Sequence, residues 1–81
     1  MLDSVQLAGA LPRNPRFREL LQMRFDAPNA PSENDAAATI RYMCAVDSRR
    51  DLATNAEAAQ RFHNLIRRPF VEWLEQQQQP A

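Results

Sequence analysis

Asp35-Ala36-Ala37-Ala38-Thr39-Ile40-Arg41-Tyr42-Met43-Cys44-Ala45-Val46 is the stretch whose reading decides the fold. After Asp35 it holds one charge, Arg41, and neither glycine nor proline. At about 100° per residue, Ala36, Ala37, Ile40, Met43 and Cys44 share one face, and Thr39, Tyr42 and Val46 cover a second. Only the strip of Ala38, Arg41 and Ala45 is left over. A helix apolar around most of its circumference belongs in the middle of a bundle. Ser32 opens it, with Asp35 three residues on in a capping-box arrangement, and Glu33 and Asp35 suit the positive end of the helix dipole. The expected span is Glu33 to Val46, because Asp47 falls where the apolar stripe would continue.

Upstream, Asn14-Pro15 is a clean helix start: Asn caps well, and proline at the first position loses no hydrogen bond. Phe17, Leu20, Leu21 and Phe25 then form an amphipathic stripe, which predicts a helix from Pro15 to Phe25. Two prolines in Ala27-Pro28-Asn29-Ala30-Pro31 forbid helix and make a stiff corner. Residues 1–11 have a cap in Asp3 or Ser4 and apolar positions at Val5, Leu7, Ala8 and Leu11. Gly9 weakens that piece and Pro12 ends it. Residues 1–13 are expected to be frayed or docked.

Downstream, Ser48-x-x-Asp51 spaces a single helical turn that tucks Leu52 inward. Thr54-x-x-Glu57 reads as a capping box for the most regular segment of the chain. There Ala58, Ala59, Phe62, Leu65 and Ile66 lie on one side, with Glu57, Gln60, Arg61, Asn64, Arg67 and Arg68 opposite. Pro69 removes a hydrogen bond and predicts a kink, beyond which Phe70, Trp73 and Leu74 start a rotated stripe. The last helix is expected over Asn55–Gln77, with residues 76–81 fraying. The reading is an all-α fold, residues 1–81 as one small bundle of three main helices, the last kinked at Pro69. Its expected core is Phe17, Leu20, Leu21, Ile40, Met43, Cys44, Leu52, Phe62, Leu65, Ile66, Phe70 and Trp73.

Composition narrows the function. One Cys excludes an internal disulfide, and one Cys with one His cannot close a structural zinc site. The single glycine leaves no phosphate-cradling loop. No apolar run is long enough to span a bilayer, and no signal-peptide core is present, so a cytoplasmic location with no membrane partner is expected. His63 sits at the edge of its helix's apolar face, where a histidine is ordinarily a boundary residue. Cys44 lies on the face expected to be buried, where cysteine acts as a small hydrophobe. The acids are scattered over caps and polar faces without the pairing that acid–base catalysis requires. No catalytic residue, metal ligand or cofactor is assigned, and the chain is not expected to be an enzyme.

The basic residues are the remaining signal. Formal net charge is zero, yet all ten basic residues are arginine. Residues 41–68 hold six of them, Arg41, Arg49, Arg50, Arg61, Arg67 and Arg68, against Asp47, Asp51 and Glu57. Guanidinium forks suit carboxylates and phosphates, so these six are the candidate partner-binding residues. The ordinary alternative is a solvated face with local pairs such as Arg61–Glu57 and Arg68–Glu72. A helix-turn-helix fits poorly: the Asp47–Thr54 connection is long, and the would-be reading end, Asn55-Ala56-Glu57-Ala58-Ala59, carries an acid and alanines.

The run Ile40-Arg41-x-x-Cys44-x-Val46-x-Ser48-Arg49-x-Asp51-Leu52, followed by Ala58-Ala59, Phe62 and Pro69-Phe70, resembles small uncharacterised accessory proteins of temperate bacteriophages and prophages, over roughly residues 35–73. The resemblance implies a compact protein that acts by binding host or phage components, and it assigns no functional residue. The leading expectation is a non-catalytic module that regulates or inhibits a protein partner. The alternative is a nucleic-acid accessory protein using the arginines of residues 41–68. Surplus apolar surface on so short a chain also allows a homodimer.

Overall fold

The computed structural model describes residues 3–78, and among them every regular element is helical. In order these are α1 (Ser4–Ala10), a 3-10 turn (Leu11–Arg13), α2 (Pro15–Arg24), α3 (Glu33–Cys44), a short α4 (Asp51–Thr54), α5 (Ala56–Phe62), a π turn (His63–Arg67) and α6 (Arg68–Gln78). The α5, π and α6 pieces follow without a gap as one long helix. As the alanine-rich stretch predicts, α3 is the centre, touching α1, the 3-10 turn, α2, α5 and the π turn. The expected fraying of residues 79–81 lies outside the described residues.

Local caps set the boundaries. Asn14 Oδ1 accepts from the Arg16 N–H at 2.9 Å, and Ser32 Oγ accepts from the Asp35 N–H at 3.1 Å. The expected box at Thr54 is replaced by Asn55, whose Oδ1 takes both the Glu57 and Ala58 N–H groups. Asn is the stronger cap, and one residue of shift lets a single oxygen satisfy two orphan donors. Helices α2 and α3 end alike. In each, a residue with left-handed backbone, Asp26 (φ 50°) or Ala45 (φ 58°), reverses the chain. The Ala27 N–H reaches Gln22 O at 3.0 Å, and the Val46 N–H reaches Arg41 O at 3.0 Å, the long bond of a Schellman motif. That closure ends α3 two residues before the expected Val46.

Around α3, buried Phe17, Leu20, Leu21, Ile40, Cys44, Leu52, Phe62, Ile66 and Phe70 fill the centre, with Met43 and Trp73 half-buried against them. Phe17 meets Phe70 edge-to-face at 5.5 Å, and Phe70 stacks on Trp73 at 6.3 Å, which ties α6 to α2. Of the two states expected for the start of the chain, residues 3–13 take the docked one. Asp3 and Gln6 close a reciprocal capping box, and Ala8 and Leu11 are buried in the core.

Leu65 is the correction to the expected core: it is 39% exposed. The cause is the π turn. In a straight α-helix Phe70 would drift about 80° from Phe62 over eight residues. The wider π turn, marked by the Arg68 N–H bonding five residues back to His63 O, takes up that drift. Phe62, Ile66 and Phe70 therefore line up at four-residue spacing, and Leu65 falls off the buried stripe. The break expected at Pro69 thus takes the form of a π turn just before it. Pro69 has no N–H for the Leu65 carbonyl four residues back, and Arg24 Nη1 donates to that oxygen instead at 2.9 Å.

Candidate functional site

The six candidate arginines do not form one surface. Arg61 is half-buried: its Nε–H donates to Cys44 O, in the last turn of α3, at 2.8 Å, while its Nη1 lies 4.0 Å from Glu57. Arg68 Nε pairs with Glu72 at 3.6 Å along the surface of α6. Arg67 is half-buried and already engaged. Arg50 is exposed on the turn before α4. Only Arg41 and Arg49 share a hollow, and it is Arg13, from the 3-10 turn, that joins them.

That hollow is an open cleft of about 420 Å³ between the end of α1, the first turns of α3 and the loop that follows α3. Glu33 and Asp47 also line it. Neither carboxylate closes on a guanidinium: among the described residues Arg13, Arg41 and Arg49 make no side-chain hydrogen bond or ion pair. Gly9 forms the seat of Arg49, since a Cβ there would collide with the Arg49 guanidinium. Glycine in a helix interior costs about 1 kcal/mol against alanine, so a helical glycine calls for a packing reason, and this close approach supplies one. The chain's lone glycine, in the last turn of α1, was the available signal for the cleft. Nothing in the sequence brought Arg13 to it.

A second feature lies on the other side of α3. Tyr42 is 84% exposed and Phe25 is 56% exposed, and the two line a shallow hollow together with Asp35, Ala38 and Thr39. The second apolar face of α3, expected to be covered, is therefore largely open at Tyr42. The corner at residues 27–31 lies beside this face, lining a neighbouring hollow with Phe25, Asp35 and Thr39. Met23, 60% exposed, adds a further apolar side chain to the end of α2.

The chemistry of the remaining groups is quiet. Cys44 is fully buried, and burial pushes its thiol pKa up, outweighing the opposing pull of Arg61. Sequence alone placed no arginine near Cys44; the 17-residue return of the chain does. His63 is exposed. Among the described residues no three His, Cys, Asp or Glu side chains are grouped to hold a metal ion, and no helix is long and apolar enough to cross a membrane. Compared with protein-family models, curated proteins and solved structures, the chain finds no match in any of the three.

Proposed function

We propose that this chain is a non-catalytic helical binding module that docks a protein partner on the face formed by Phe25 and Tyr42, regulating or inhibiting it in the manner of phage accessory proteins. The exposure of Tyr42 carries the reading: an aromatic ring 84% in solvent that shares a shallow hollow with a second one. Tyrosine and phenylalanine there offer large, stiff contact area at low entropic cost, the usual make-up of an interface anchor. Burying roughly 200–300 Å² of the two rings would return about 5–7 kcal/mol before the costs of association. Those costs are on the order of 4–15 kcal/mol, so the pair acts as anchors within a larger footprint. Met23 lies close enough in sequence to extend it.

The nucleic-acid alternative draws less support. It needs the arginines of residues 41–68 on one face, and Arg61 and Arg68 are committed to Cys44 O and Glu72. The test is capture from a bacterial host lysate by the immobilised chain, by Tyr42→Ala and by Arg50→Gln, each with and without nuclease. Both substituted side chains are exposed, so the fold should survive. A partner that resists nuclease, is kept by Arg50→Gln and is lost with Tyr42→Ala is expected. Retention that vanishes with nuclease, or that ignores Tyr42→Ala, overturns the reading.

A further inference from the structure

Arg13 of the 3-10 turn, Arg41 of α3 and Arg49 of the loop after it line one cleft, and none has a partner among the described residues. Unpaired arginines at a shared opening repel one another, and their forks present parallel N–H donors shaped for an oxyanion. The bare Gly9 lets the Arg49 guanidinium lie against α1 at that opening, and a Cβ there would make the guanidinium shift. We propose that the cleft of Gly9, Arg13, Arg41 and Arg49 is an oxyanion site that takes a single terminal phosphate group, either inorganic phosphate or the phosphomonoester of a small ligand. It lies apart from the aromatic face and does not depend on that face binding a protein.

Glu33 and Asp47 set the limit of what enters. They line the same cleft without closing on the arginines, so three positive and two negative charges leave it one charge positive. One phosphate can sit among the guanidiniums while the carboxylates stay hydrated. A chain of phosphates would run past them, and like-charge repulsion rejects it. Arg50, exposed and outside the cleft lining, takes no part.

The test is a titration of the intact chain with inorganic phosphate at constant ionic strength, followed by backbone amide shifts, with chloride as the reference. Phenyl phosphate and a short single-stranded oligonucleotide are titrated alongside. Saturable binding of phosphate with a Kd on the order of 1 mM or tighter is expected, with shifts concentrated at Gly9, Arg13, Arg41 and Arg49. Tighter binding of phenyl phosphate identifies the monoester as the better ligand, and equal binding identifies free phosphate; both support the site. Arg41→Gln should weaken binding roughly tenfold by removing one charge-assisted fork. Gly9→Ala keeps every charge, keeps the helix, and should weaken binding severalfold by displacing Arg49. Arg50→Gln should change nothing. If Arg41→Gln fails to fold, exposed Arg13→Gln replaces it. A shift that does not saturate, an equal loss with Arg50→Gln, or preferential binding of the oligonucleotide overturns the proposal.

Discussion

Replacing Arg61 with alanine separates two roles that look alike in a list of charges. Arg61 Nε donates to Cys44 O at 2.8 Å from a half-buried position, while Arg61 Nη1 and Glu57 stand 4.0 Å apart with Glu57 89% exposed. A hydrogen bond from a charged donor contributes about 1.5–3 kcal/mol, and a cation at a helix C-terminus adds about 0.3–1 kcal/mol. An exposed ion pair is worth about 0–1 kcal/mol, and at this distance the low end applies. The bond to the α3 carbonyl therefore dominates. Arg61→Ala should cost about 2 kcal/mol, after allowing for the partial exposure that lets water replace some of the lost bond. Glu57→Gln, which removes the pair and part of the favourable charge at the start of α5, should cost less than about 1 kcal/mol. Thermal unfolding by circular dichroism reads both. At about 4–8 °C per kcal/mol for a domain of this size, Arg61→Ala should melt roughly 8–16 °C lower. High salt should shrink the Glu57→Gln effect and leave most of the Arg61→Ala effect. A loss from Arg61→Ala no larger than that from Glu57→Gln would refute the carbonyl cap and return Arg61 to the surface charges.

Three further outcomes are expected. Phe62→Ala, at a fully buried ring, should cost about 3–5 kcal/mol against a total on the order of 4–12 kcal/mol, and a melting temperature near that of the wild type would show that the ring is not core. Ala45→Gly should raise stability by about 0.5–1 kcal/mol, since Ala45 holds a left-handed conformation that glycine adopts without penalty; unchanged urea midpoints would contradict that backbone. Cys44, buried with its thiol pKa raised, should react with a thiol reagent only as fast as the chain opens. Stability should be undiminished below the ordinary thiol range and fall as pH rises towards the raised folded value, because the unfolded chain loses its proton first. Cys44→Ala should remove that alkaline decline, and an identical slope in both proteins would show that other groups cause it.

The sequence made the all-α bundle legible because its signals were local. Asn14-Pro15 and Ser32 cap as read, and the Ile40/Cys44 face of α3 is buried as its period requires. Leu52 turns inward on the short α4. What failed was non-local. Leu65 looks as buried as Ile66 on an ideal wheel, and only the π turn, provoked by a proline several residues away, separates them. Tyr42 reads as part of a second apolar face of α3, yet among the described residues no buried contact reaches it and it stands largely in solvent. The candidate site fared worse, because a count of arginines cannot tell a free guanidinium from one bound to a carbonyl far along the chain.

That last failure has a physical root in the chain's use of arginine. Two of its guanidiniums close backbone gaps between helices: Arg24 at Leu65 O, where Pro69 withholds a donor, and Arg61 at Cys44 O, in the last turn of α3. Arg16 lies 5.2 Å over the Trp73 ring and beside Glu19, bracing α2 against α6. Each of these uses the planar, multi-donor fork, which a lysine ammonium would serve less well. Small helical proteins have few ways to join their helices beyond the core, and long side chains that reach a carbonyl across a gap are one of them. Charges so committed are removed from any binding surface. Among the described residues Arg13, Arg41 and Arg49 stay uncommitted around Gly9, with Arg50 and the half-buried Arg18 outside the cleft, so of the arginines in residues 41–68 only Arg41 and Arg49 share one cleft on one side of α3. The aromatic face of Phe25 and Tyr42 occupies the other. A helix with a buried stripe between two open flanks can therefore carry two sites, and α3 supplies both Arg41 and Tyr42 from adjacent positions that point apart.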